Sequence, residues 1–167
     1  LSIDADHVLN DLRSRFDIVL ADLEAVAGWK TARIQRLVQI LGSLDGIETG
    51  IRQLIRQESL ETVQITCFGK TVTVATPAEM LRIKGILILR RNATRDYLDF
   101  VALANYLEDN QVVEALQRFD QLYPQSNEES ALQQLQVQLA NPLPYDLEEI
   151  NLSEYKNLAA CWHNWLQ

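Results

Sequence analysis

At 167 residues, 47% hydrophobic and 23% charged, the chain has the size and composition of a folded domain rather than a disordered segment. Its apolar runs are too short to span a bilayer, and it opens with no basic-then-apolar leader, so a cytoplasmic protein away from membranes is expected. The two cysteines, Cys67 and Cys161, and the two histidines, His7 and His163, lack ligand spacing. That argues against zinc and for reduced, core-packed thiols.

The net charge of −8 is unevenly spread. Residues 30–95 carry eleven bases against five acids, while both flanks are acidic. A basic middle can attract a polyanion, or it can pair with the acidic flanks in the fold.

In chain order, Leu1–Asp6 alternates as a short strand does. His7–Ala27 places Val8, Leu9, Leu12, Phe16, Val19, Leu20 and Leu23 at helical spacing and ends at Gly28. Arg33–Ile40 and Ile47–Ile55 read as strands around a turn-like Gly42–Gly46. Thr62–Phe68 and Thr71–Ala75 read as a hairpin about Gly69-Lys70. Thr76-Pro77-Ala78-Glu79 is a helix start with the makings of a capping box. The helix should run to about Leu89 and be broken at Asn92, with a second from Thr94 to Leu107. Further helices are expected over Gln111–Leu122, Glu128–Ala140 and Ser153–Trp165. The class is α+β: a small mixed sheet with helices, then an all-helical tail. The domains are expected to be 1–107 and 108–167.

Two segments could carry chemistry. Asp4 and Asp6 sit at i and i+2, a spacing that puts both carboxylates on one strand face and suits a divalent cation. The same acids also fit an exposed strand edge, with Asp6 capping the following helix. The second segment runs from Lys84 through Arg90, Arg91, Arg95 and Asp96 to Asp99. Lys84, Arg91 and Arg95 share a face if helical spacing is kept. Asp99 lies four residues beyond Arg95 and can pair with it. These cations could hold phosphates, or the acids and bases could tie two helices together. Arg52 and Arg56 could line a nucleotide or RNA groove or form a solvated strand face, and Glu48 is a candidate third strand carboxylate. Trp162 and Trp165 read as sealing the tail.

In order, these segments resemble the AbiEii/AbiGii toxin family of nucleotidyltransferases, toxins of type IV toxin–antitoxin systems. Ser2–Asp6 is similar to its D-x-D motif, Thr76–Lys84 to its lysine helix and Arg91–Asp99 to its R-D-x-x-D helix. The likeness covers about residues 1–107. The Gly-Ser that precedes the D-x-D in the family has no counterpart here. The resemblance implies a nucleotidyltransferase-like fold in which Asp4 and Asp6 hold Mg²⁺ on a nucleoside triphosphate. Lys84, Asp96 and Asp99 would be catalytic, and Arg91 and Arg95 would hold the nucleotide; the strand-face reading adds Arg52 to the nucleotide-binding candidates. A nucleotide would pass to an RNA or protein acceptor, with an antitoxin as partner. The alternative is a non-catalytic remnant serving as a protein- or RNA-interaction module.

Overall fold

The computed structural model describes residues 4–126 and 128–149. The expected helix over Ser153–Trp165, with Cys161, Trp162, His163 and Trp165, lies outside the described residues. The fold is α+β and divides into two compact units, Leu1–Ser59 and Leu60–Gln167. Residues on both sides of the expected 107/108 division fall in the second unit.

The first unit contains β1 (Asp4–Leu9), α1 (Leu12–Glu24), β2 (Trp29–Gln35), β3 (Gln39–Leu44) and β4 (Ile47–Gln53). The sheet order is β1-β4-β3-β2, with β1 parallel to β4 and the other pairs antiparallel. The expected helix from His7 starts late because His7, Val8 and Leu9 pair with Ile51, Arg52 and Gln53. A parallel ladder satisfies their backbone groups before the helix can claim them. From Leu12 on, the i, i+4, i+7 stripe of Leu12, Phe16 and Val19 is buried with Ile40.

Gly42, Ser43 and Leu44, read as turn, are strand. The turn is Asp45-Gly46 alone, with both residues at positive φ. A two-residue hairpin loop of this kind matches the strand twist, and Asp-Gly is a favoured pair for it.

The second unit opens with β5 (Thr62–Cys67) and β6 (Lys70–Ala75), an antiparallel pair forming its own two-stranded sheet. Among the described residues five helices follow: α2 (Pro77–Arg91), α3 (Thr94–Tyr106), α4 (Asp109–Gln117), α5 (Phe119–Leu122) and α6 (Ala131–Ala140). Thr76 caps α2 by accepting from Glu79 N at 3.1 Å. Thr76 N, however, donates to Glu61 O. The Glu79 carboxylate is turned to Glu61 N and Arg82, so the expected capping box is only half made. The expected helix Gln111–Leu122 is split at Arg118, whose φ of −96° and ψ of 9° are not helical.

The core of this unit joins Leu81, Ile86 and Ile88 of α2 to Tyr97 and Phe100 of α3, Phe119 and Leu122 of α5, and Leu135 of α6. Each fully buried aliphatic side chain contributes about 1.5–3 kcal/mol. Gly85 lets α2 approach closely. A Cβ there would lie 2.9 Å from Leu135 Cδ2 and 3.1 Å from Phe119 Cε2.

Candidate functional site

The second chemistry-bearing segment folds into one charge cluster. Asn92 ends α2 in the left-handed region, at φ 49° and ψ 40°, which asparagine tolerates better than most residues. The chain turns there and lays α3 back along α2. Asp96, in the first turn of α3, is fully buried. Arg91 grips it with a fork, Nε to Oδ2 at 3.0 Å and Nη2 to Oδ1 at 2.6 Å. Lys84 Nζ lies 3.8 Å from Asp96 Oδ1 and 2.6 Å from Asp99 Oδ2. The N-terminus of α3 adds a favourable dipole at Asp96.

Four of the sequence-selected residues, Lys84, Arg91, Asp96 and Asp99, are therefore brought together. Two cations face two anions, so the cluster is neutral within itself. The expected Arg95–Asp99 pair does not form. The break at Asn92 redirects α3 so that Asp99 takes Lys84, and exposed Arg95 makes no ion pair among the described residues. Lys84 is mostly shielded, while half of the Asp99 side chain is exposed, which makes Asp99 the open side of the cluster.

The elbow is held from a distance. Asn92 Nδ2 donates to Leu143 O at 2.7 Å, and Tyr145 N donates to Asn92 O at 3.0 Å. The Tyr97 hydroxyl donates to Asn92 Oδ1 at 2.6 Å. Burial raises the Tyr97 pKa above its ordinary value.

The remaining candidates lie in the first unit. Asp4 pairs through its backbone with Glu48, and its side chain lies outside the described part of the structure. Asp6 is in strand rather than at a helix cap, and its Oδ2 accepts from Arg52 Nε at 3.2 Å. The Arg52 Nη1 turns to Gln39 Oε1. Asp6 and Arg52 are thus each other's partners, on a half-exposed strand face. Glu48 is exposed. Among the described residues no group of three or more His, Cys, Asp or Glu is placed to hold a metal ion. Arg56 folds onto its own loop, donating to Glu58 O and Ser59 O, each at 2.9 Å. The Trp29 ring lies against Gly42, and its indole donates to Thr31 Oγ1 at 2.9 Å. Cys67, expected in the core, is a free, exposed thiol.

A second network was not singled out in the sequence. Arg82, buried, has Nη2 at 2.5 Å from Glu61 Oε2 and 3.0 Å from Glu79 Oε2, and donates from Nη1 to Ala115 O at 3.3 Å. Burial opposes the Arg82 charge, but hydrogen bonds to Glu61 and Glu79 outweigh it and raise its pKa. The Glu79–Arg82 spacing of i, i+3 was the available signal. The contribution of Glu61, from before β5, left none. Arg82, Glu61, Tyr106, Glu114 and Arg118 help line a cleft of about 670 Å³.

Comparison with known proteins gives a different functional direction from the sequence motifs. The chain is 32% identical over 102 residues to the mycolic acid-containing lipids exporter MmpL11 of Mycolicibacterium smegmatis, a match spanning 59% of this chain and 11% of that protein. It is 33% identical over 95 residues to the probable transport protein MmpL11 of Mycobacterium bovis and to the heme uptake protein MmpL11 of Mycobacterium tuberculosis, spanning 55% of this chain and 10% of each relative. The chain thus spans about a tenth of the length of the curated relatives it matches. No family model matches it, and no solved structure does. The expected nucleotide transfer to RNA or protein, the toxin role and the alternative of an interaction remnant are corrected by these matches, which are to transport proteins. Among the described residues no helix is long and apolar enough to cross a membrane.

Proposed function

We propose that the chain forms an extramembrane domain of transport machinery related to MmpL11, held on the cytoplasmic side. The observation that carries this reading is the likeness of more than half of the chain to three proteins named for export, transport or uptake. The absence of a membrane-length helix among the described residues favours a part of such machinery outside the bilayer. The Lys84–Asp96 cluster then works inside the domain, fixing the angle between α2 and α3. The reading is tested by removing these residues from the gene in the native host. Surface lipid composition and growth on heme as the iron source are then measured. A defect in either, restored by the intact sequence, supports the assignment. Unchanged lipid export together with unchanged heme use would sink it.

A further inference from the structure

The β5–β6 hairpin has one face of each character. Register places Val63 opposite Val74, Ile65 opposite Val72 and Cys67 opposite Lys70 on one side. Thr62, Gln64, Thr66, Thr71 and Thr73 alternate onto the other. Among the described residues the apolar side is left open, with Val63 44%, Ile65 49% and Val72 52% exposed. A two-stranded hairpin is marginal by itself and gains most from covering such a face.

The tip is more unusual. Phe68 is 100% exposed and sits at φ 50°, in the left-handed region. The turn position that it fills suits asparagine, aspartate or glycine, and a bulky side chain there is strained. Phe68 therefore costs stability through its backbone and gains no burial among the described residues. A ring exposed at a strained position suits a contact with something beyond the described residues.

We propose that the Phe68 tip and the Val63/Ile65/Val72 face dock on a lipid bilayer surface. Charge selects this occupant. Thr62–Ala75 holds one base, Lys70 beside Phe68, and no acid, within a chain of net charge −8. The acidic flanks of the chain are repelled by an anionic headgroup layer, and this segment, inside the basic middle of residues 30–95, is not. An aromatic wedge with an adjacent lysine suits the interface, where the ring enters the acyl boundary and the ammonium stays among the headgroups. The proposal rests on the reading above, that the domain works beside a membrane.

Vesicle flotation of the full chain tests it, with phosphatidylcholine alone and with phosphatidylcholine mixed with phosphatidylglycerol. A fluorophore on Cys67 in a Cys161→Ser chain reports entry of the tip into an apolar layer. Phe68→Asn suits the turn, so it keeps the fold while removing the ring. It should reduce the vesicle-bound fraction by about fivefold or more, and Phe68→Trp should retain binding. Lys70→Glu should weaken binding to the anionic vesicles more than to the neutral ones. Absence of wild-type binding to both vesicles, or binding unchanged in Phe68→Asn, overturns the proposal. Self-association abolished by Phe68→Asn, with no vesicle binding, also overturns it and assigns the face to a second copy. Vesicle binding through Phe68 in a protein whose removal leaves transport intact would sink the transport reading and leave the lipid contact standing.

Discussion

Asp146 caps helix α3 from fifty-two positions away. Its Oδ1 accepts from both Thr94 N and Thr94 Oγ1, each at 2.8 Å. The residue before α3 is Ala93, which has no side chain able to do this. Thr94 is fully buried, so both donors would otherwise be left unmatched.

Asp146→Ala should accordingly cost about 1–2 kcal/mol, the value of a lost helix cap with a buried donor. Asp146→Asn, which keeps the acceptor oxygen, should recover most of it. Urea unfolding followed by helical circular dichroism measures both. An Asp146→Ala chain as stable as the parent would show that water replaces the cap.

Removing the fork on Asp96 should be more damaging. Among the described residues Arg91→Ala leaves the buried carboxylate facing Lys84 at 3.8 Å as its one cation. A cost of about 2–3 kcal/mol is expected, since the uncompensated charge dominates. Arg91→Lys should rescue only partly, because an ammonium cannot bond both oxygens in one plane. Asp99→Asn, at the half-exposed end of the cluster, should cost no more than about 1 kcal/mol. Equal losses for Arg91→Ala and Asp99→Asn in denaturant titrations would contradict this ranking.

Tyr97 sets an alkaline limit. Burial raises its folded-state pKa above the unfolded value, so the native state holds the phenolic proton more tightly. Its contribution is fully present below the unfolded pKa and is lost as pH rises towards and through the folded one. Melting temperature should therefore fall at pH above about 10. In Tyr97→Phe that part of the fall should be absent, although the hydrogen bond to Asn92 is lost at every pH. Parallel melting profiles for the two chains would refute the assignment.

Gly85→Ala weighs helix propensity against packing. Alanine gains about 1 kcal/mol in a helix interior. Its methyl would press on Leu135 and Phe119, both fully buried. Overpacking costs about 1–3 kcal/mol, so a net loss of about 1 kcal/mol is expected. A higher melting temperature for the alanine chain would mean that the core yields there.

How legible the fold was depends on where the deciding interactions lie. Thr76-Pro77 and Asn92 announced the ends of α2 because capping acts within a few residues. The hairpin at Gly69 was legible for the same reason. His7–Leu9 was misread because its partner strand, β4, is distant in sequence and overrides a helical apolar pattern. At the cluster, residue types and spacing picked out Lys84, Arg91, Asp96 and Asp99. The pairing within that set was not legible, since it depends on the angle at Asn92. Asp146 and Glu61 reach their partners through tertiary folding alone. Neither left a local signal.

The parallel ladder of β1 on β4 also bears on how the first unit comes together. β2, β3 and β4 can zip through tight turns, each contact drawing in the next at small loop-closure cost. The β1 strand must wait for that meander to offer an edge and for α1 to bridge the gap. Its docking is the slow, long-range step, and a newly made chain leaves the β4 edge open to other strands until that step is complete.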